Sequence, residues 1–315
     1  MGDIIHTLPA ITDASKSIPN IFFDWIIEET FAEIPTWHSA VHQVIPIKLR
    51  LIKKNWYKIY PWKIYKQCIT QLRQKKYDII IDAQNLLKTS ACITSLARGI
   101  KHGMDFASSR EPISCLFYHK THYIDKNQHA INRIRKLFSC SLEYSHPSCL
   151  GQYNINCILN STIHQQNIPF LLFLHSTSQP KKHWPELNWH IIIKYAINAG
   201  YNIKLPFWNT NEEMRAKRLK NGFNQIILLP KLTLQEIANQ IFQAKAIISV
   251  DTGLSHLAAA LSCPNLTLYG PTDPKLIGTY GYNQMTLRSK NQDMQSLDPT
   301  YVWKQFEQNF KHFLK

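Results

Sequence analysis

Ala244-Lys-Ala-Ile-Ile-Ser-Val-Asp-Thr-Gly-Leu-Ser-His256 is the stretch whose reading decides the fold. The run up to Val250 is apolar on both faces, as a strand covered by helices on each side must be. The chain then turns at Gly253 and continues through His256-Leu-Ala-Ala-Ala-Leu261 as a helix. The first N–H groups of a helix have no internal partner and carry the positive end of its dipole. An anion is their natural occupant, and a glycine lets a phosphate approach the backbone. The same residues also fit an ordinary strand–helix turn with Asp251 or Thr252 as N-cap.

Outward from this stretch, short β-rich runs alternate with helical periodicity. Strands are predicted at Phe22–Glu28, Val41–Ile47, Tyr77–Asp82, Pro169–His175, Tyr201–Leu205, Gln225–Leu229, Ala246–Val250 and Asn265–Tyr269. Helices are predicted at 61–75, 86–98, 126–139, 188–199, 212–221, 233–243 and 254–261. Strand–helix alternation implies parallel sheets with right-handed crossovers. The polar stretch Leu142–Asn167, with Pro147, reads as a boundary between two α/β domains. A last helix near 298–314, with Tyr301, Phe306 and Phe310 on one side, is expected to pack back onto the first domain. Residues 4–17 read as the first helix of a doubly wound domain with no strand before them, although the ligand-binding turn of such folds follows the first strand. The first strand of the N-terminal domain is therefore expected to be missing, through a misplaced start or a truncated relative.

Bulk properties narrow the function. The 315 residues, 44% of them hydrophobic, suffice for two domains with real cores. No apolar run is long enough to cross a membrane, and the N-terminus lacks the pattern of a secretory signal. Seven scattered cysteines, none in Cys-x-x-Cys spacing, argue against a disulfide framework and a zinc site, so a cytoplasmic protein is expected. A formal charge of +15 draws anionic partners, but an excess of Lys in an Ile- and Asn-rich chain also arises without any partner.

The candidate chemistry gathers behind strands, at the edge where open α/β sheets bind ligands. His175-Ser-Thr-Ser178 and Lys181-Lys-His-Trp-Pro185 offer hydroxyls and point charges to a phosphate. Glu212-Glu213 can accept from ribose hydroxyls, or simply complement a helix dipole. Gly270-Pro-Thr-Asp-Pro274 adds a further loop. In the first domain, Asp3 either caps its helix or serves as general base, and Asp82-Ala-Gln-Asn85 with Lys88 ends another strand. Arg50, Lys53, Lys54, Lys58 and Lys63 interleave with Trp56, Tyr57, Tyr60 and Trp62. No RNA- or DNA-binding module surrounds them, so an acidic sugar or lipid headgroup fits better than nucleic acid.

Met1-Gly-Asp-Ile-Ile-His-Thr-Leu-Pro-Ala10, Asp82-Ala-Gln-Asn-Leu-Leu-Lys88, Lys101-His-Gly-Met-Asp105 with Arg110-Glu-Pro112, Lys182-His-Trp-Pro185, Ser249-Val-Asp-Thr-Gly-Leu-Ser-His256 and Tyr269-Gly-Pro-Thr-Asp273 together resemble the lipopolysaccharide heptosyltransferase I family. The resemblance runs from residue 1 to the last helix. It implies two Rossmann-like domains with parallel sheets facing a cleft, the GT-B architecture: 1–158 binding the acceptor, with 298–315 returning to it, and 159–297 binding the donor. It implies inverting, metal-independent transfer of L-glycero-D-manno-heptose from ADP-L-glycero-β-D-manno-heptose to Kdo of a lipid A precursor in the inner core, with no cofactor. Asp3 corresponds to the catalytic base. Thr177, Ser178, Lys182, Glu212, Asp251, Thr252, Gly253 and His256 correspond to donor contacts, and Arg50, Lys53, Lys54 and Arg110 to basic acceptor contacts. A monomer peripheral on the cytoplasmic face of the inner membrane is implied, meeting ADP-heptose and Kdo-lipid A and no nucleic acid. A different core acceptor, or an inactive nucleotide-sugar-binding remnant, are the alternatives. Asn85 stands where the family has Gly, and Asn tolerates the positive φ such a turn needs.

Overall fold

The computed structural model describes residues 1–55, 57–155 and 169–314, and of residues 53 and 54 the backbone alone. The chain divides into two compact units, Asp3–Asn156 and Cys157–Lys315, the latter grouping with Met1–Gly2. The polar boundary read from sequence spans this division, and 156–168 lie outside the described residues.

The first unit runs α1 (Gly2–Ser17), β1 (Phe23–Glu28), α2 (Glu33–Thr36), β2 (Val41–Ile47), α3 (Leu49–Lys54), α4 (Ile59–Gln74), β3 (Ile79–Ile81), α5 (Leu87–Cys92), β4 (Ile100–Met104), β5 (Lys120–His122) and α6 (Ala130–Leu142). Its strands form two separate parallel sheets, β1–β2 and β3–β4–β5. β1 and β3 nevertheless share both side-chain layers: Ile26 joins Tyr77 and Ile80 in one cluster, and Phe23 and Trp25 join Ile81 in another. Each has one edge without a ladder partner among the described residues. The three isoleucines of β3 are only half-buried as a result. α1 is buried from Ile4 to Ala14 and is tied to α6 by Asp13 and Arg135, whose Nε donates to Oδ2 at 2.6 Å.

The second unit follows with β6 (Phe170–Leu174), α7 (Glu186–Asn198), β7 (Asn202–Leu205), α8 (Thr210–Lys220), β8 (Ile226–Leu228), α9 (Leu234–Gln243), β9 (Ala246–Val250), α10 (Gly253–Ala260), β10 (Asn265–Tyr269), α11 (Pro274–Ile277), β11 (Gln284–Arg288) and α12 (Pro299–Leu314). Six parallel strands lie in the order β11-β10-β9-β6-β7-β8. The order reverses between β6 and β9, and such a switch point opens a crevice at the strands' carboxyl ends. β6, β9 and β10 are buried throughout; the polar Ser249, Asn265 and Thr267 of β9 and β10 hydrogen-bond to one another.

Residues 298–315, expected to pack back on the first domain, are instead built into the second unit. Val302, Trp303, Phe306 and Phe310 of α12 join the core of this sheet. Trp303 stacks on Tyr195 of α7, and the Tyr201 hydroxyl donates to Leu314 O at 2.8 Å. Phe306 packs on Trp303 and Phe310 within α12, while Tyr301 stays exposed. Among the described residues no helix is long and apolar enough to cross a membrane.

Candidate active site

The switch point gathers the candidate donor-binding residues of the second unit. His175 follows β6, and the loop behind it turns through Thr177 and exposed Ser178 into Pro180–Lys182. That turn is held from three sides. The His183 ring Nε2 meets Thr177 O at 2.7 Å, the Trp184 indole donates to Leu297 O at 3.1 Å, and Arg215 donates to Trp184 O at 2.5 Å. Arg215 and Arg218 also clasp Glu186 at the start of α7. With its flanks fixed, Lys182 reaches Asp251 at the end of β9, Nζ lying 2.7 Å from Oδ2. Both side chains are largely buried, so the ammonium and the carboxylate are each other's close charged neighbour. Two loops from the two sides of the switch thus meet through one ion pair.

Thr252 is the N-cap residue of α10, and Gly253 its first residue. Ser255 closes the first turn, its hydroxyl donating to Thr252 O at 2.7 Å and its N–H to the same oxygen at 3.1 Å. The Thr252 N–H donates back to the Ser255 hydroxyl at 3.4 Å, so Thr252 and Ser255 form a capping box. Gly253 has no positive φ, so the turn does not demand glycine; a Cβ here would lie 2.8 Å from the Met1 side chain, which packs against this position. His256 is buried one turn in.

Glu212 lies in the first turn of α8, where it complements the helix dipole. Its carboxylate accepts the Trp208 N–H at 2.7 Å and the Asn209 amide at 2.9 Å, while its own N–H donates to the Asn209 side chain, the N-cap of α8. It also lines a pocket with Phe207, Trp208, Pro230, Leu232 and Ile237, at the carboxyl ends of β6, β7 and β8. A carboxylate has about four acceptor positions, so two remain for ribose hydroxyls. The apolar walls suit the flat face of a purine base. Sequence reasoning missed these walls, although their place behind strands of the same sheet edge was a usable signal. His175, at the pocket floor, is held neutral: burial drives its pKa down to about 3, helped by the Arg215 charge.

In the first unit, Asp3 sits in the first turn of α1 rather than ahead of it, so it complements the dipole without being the N-cap. Its carboxylate is exposed and faces Arg110, whose Nη1 lies 3.7 Å from Oδ2. The structure thus brings the candidate base to a candidate acceptor residue more than a hundred positions along the chain. Arg50 is placed elsewhere, its guanidinium over the Phe31 ring and its N–H toward Glu28. The side chains of Lys53 and Lys54 lie outside the described residues, as does Trp56.

Asp82 is a loop builder. Its carboxylate accepts from Ser90 at 2.7 Å, from Tyr118 at 3.0 Å, from Thr94 at 3.2 Å, and from the N–H groups of Gln84 and Asn85. Asn85 adopts φ 51°, the left-handed conformation expected of this position, and its side chain accepts the Met104 N–H at 2.8 Å. Gly103 is a glycine for a different reason, because a Cβ there would collide with the Tyr118 ring. Among the described residues no group of three His, Cys, Asp or Glu side chains is arranged to hold a metal ion.

Comparison with known proteins agrees with this layout. The family model for glycosyltransferase family 9 (heptosyltransferase) matches residues 66–306. Lipopolysaccharide heptosyltransferase 1 of Salmonella typhimurium is 49% identical over 307 residues, 96% of each chain, and that of Escherichia coli K12 is 47% identical over 96% of this chain and 95% of its own. The structure of E. coli heptosyltransferase WaaC with ADP superposes with a TM-score of 0.92 at 46% identity, covering 98% of this chain and 96% of that one. A two-unit α/β fold of GT-B type, a strand-order switch point at the carboxyl edge of a parallel sheet and a matched family model over most of the chain lead to one assignment: this chain belongs to glycosyltransferase family 9, the heptosyltransferases.

Proposed function

We propose that the chain transfers L-glycero-D-manno-heptose from ADP-heptose to Kdo of a lipid A precursor, inverting the anomeric centre without a divalent metal. The observation that carries the reading is the Lys182–Asp251 pair beside the N-terminus of α10, at the switch point of the donor sheet. Solved relatives support the donor: the E. coli enzyme has been crystallised with ADP and with ADP-2-deoxy-2-fluoro heptose. Residues 159–297 act as the donor domain and residues 1–158 as the acceptor domain.

As the anomeric C–O bond breaks, negative charge grows on the departing diphosphate. Lys182 and the free N–H groups of α10 stabilise that charge, the task a divalent cation performs elsewhere. Asp251 holds the ammonium until a phosphate takes it. Glu212 accepts from the ribose, and Thr177 and Ser178 donate to phosphate oxygens. Asp3 takes the proton of the acceptor hydroxyl as it attacks the face opposite the diphosphate. Arg110 draws the acidic acceptor to that carboxylate, and Arg50, Lys53 and Lys54 extend the basic surface. The enzyme works as a monomer on the cytoplasmic face of the inner membrane, where its acceptor lies.

The test is ADP release from ADP-heptose with Kdo-lipid A, with a heptosylated core as second acceptor and with EDTA present. Turnover on Kdo-lipid A unaffected by EDTA is expected. Turnover only on the heptosylated core reassigns the acceptor, and loss with EDTA removes the metal-free mechanism. The split sheet of the first unit favours one rival, a nucleotide-sugar-binding remnant; ADP-heptose binding without turnover on either acceptor decides for it.

A further inference from the structure

Four of the six residues 57–62 are large apolar side chains exposed to solvent: Tyr57 at 68%, Ile59 at 86%, Tyr60 at 67% and Trp62 at 48%. Single exposed hydrophobics are ordinary on a soluble protein, but a contiguous cluster marks an interaction surface. The arrangement on α4 is directional. Pro61, Cys68 and Leu72 are its buried residues and face the core. Ile59, Lys63, Lys66 and Thr70, spaced by four, three and four, form one stripe on the opposite side. Tyr60 and Trp62 flank Ile59 at the head of that stripe. Lys58 lies 5.7 Å from the centre of the Tyr57 ring. Behind this tip, Lys63, Lys66, Gln67, Thr70, Gln71 and Gln74 line a shallow concave face of ammonium, amide and hydroxyl groups. The result is an apolar, aromatic tip followed by a basic, donor-rich shoulder.

We propose that this tip, Tyr57 to Trp62 with Lys58, Lys63 and Lys66, is the footprint by which the protein docks on an anionic lipid surface. Tyr and Trp settle at the headgroup level of bilayers because one end of each ring is apolar and the other polar. Ile59 enters the acyl boundary, while the lysines meet lipid phosphates, each adding about fivefold to partitioning near such a surface. A single anchor of this size gives reversible attachment, which suits an enzyme that must also bind a soluble donor. Vesicle binding needs neither donor nor acceptor, so the inference stands or falls apart from the proposed reaction.

The experiment is co-sedimentation of the full chain with phosphatidylcholine vesicles and with vesicles containing about 30% phosphatidylglycerol, a fraction chosen to give a surface potential of tens of millivolts. Both are run at low and high salt, and ADP affinity and melting temperature are measured on every variant. The parent is expected to bind the anionic vesicles and to lose affinity with salt. The triple variant Ile59→Ser, Tyr60→Ser, Trp62→Ser should bind about tenfold or more weakly, since each exposed aromatic or aliphatic contact is removed from the interface. Its ADP affinity and melting temperature should stay at the parent values. Lys63→Glu with Lys66→Glu should weaken binding more than Lys217→Glu with Lys220→Glu, an equal change of charge on α8. The proposal is overturned if the parent ignores anionic vesicles, if the triple variant binds them as the parent does, or if the two charge pairs act alike, because net charge alone then explains adsorption. It is also overturned if the same side chains govern binding to a single-stranded RNA oligomer while vesicle binding is unmoved.

Discussion

At the scale of single residues, the site rests on side chains whose neighbours decide what they can do. Asp3 is exposed, sits in the first turn of α1 and faces Arg110. Asp3→Asn keeps the size and most of the local bonding, so the melting temperature should hold within about 2 °C, the shift that ~0.5 kcal/mol gives a unit of this size. Turnover should fall by roughly 10²–10⁴, the usual contribution of a general base. Steady-state rates on ADP-heptose check this, and a variant that matches the parent assigns the base elsewhere. Arg110→Ala removes the cation beside the candidate base. It should raise the acceptor KM with donor affinity unchanged, the signature of lost acceptor binding; a fall in ADP affinity by calorimetry would reverse the assignment of the two domains. Asn85 shows how one residue serves two demands. It takes the left-handed conformation of its turn and supplies an oxygen to the Met104 N–H that a glycine lacks.

At the scale of elements, α1 is the most constrained piece of the first unit. Asp13 and Arg135 are both nearly fully buried, and the guanidinium also donates to Pro147 O. Removing one partner strands the other charge in the interior. Asp13→Ala should therefore cost about 3–5 kcal/mol, read as a lower urea midpoint; a loss below 1 kcal/mol would show that water reaches the pair. The second element-level feature is that, among the described residues, β1 and β3 each keep one edge without a ladder partner. Both strands contribute to the same apolar layers, so one further parallel strand would gain a ladder on each side. Five or six Val/Ile-rich residues placed ahead of Met1 should raise the melting temperature by at least about 3 °C, the shift that ~1 kcal/mol gives a unit of this size. An unchanged melting curve would mean that the two sheets leave no room for a strand between them.

At the scale of the whole molecule, buried histidines govern the response to acid. His175 has its pKa lowered to about 3 by burial and the Arg215 charge. Burial also lowers His38, His102, His122 and His146, with neighbouring positive groups adding to the last three. Between the ordinary value near 6.5 and the depressed one, the unfolded chain binds a proton that the folded chain refuses, so stability rises with pH across that window. The urea midpoint should thus fall as pH drops from 7 to 5, His175 alone contributing a slope approaching 1.4 kcal/mol per unit. A flat midpoint over that range would mean the histidines protonate in place. All eight strands read from the sequence are present, with ends trimmed by a residue or two. The three that were not read, β4, β5 and β11, are short or polar: Gly103 and His102 interrupt the first, Lys-Thr-His is the second, and the third alternates polar and apolar at a sheet edge. Edge strands pair on one side only and so need no continuous apolar run to betray them. The places of Thr177, Lys182, Asp251 and Gly253 behind strands of one sheet were legible because a strand followed by a turn and a helix marks its own loop, whatever surrounds it. Periodicity is a local property, and the alternation of apolar periods was enough to determine two α/β domains and the loops that carry their chemistry. Which loops meet was decided by the tertiary structure: the strand reversal that sets Lys182 against Asp251, the turn that brings Arg110 to Asp3, and the core of the second sheet that claims α12. Those outcomes depend on contacts between residues far apart in the chain, whose energies no local pattern records.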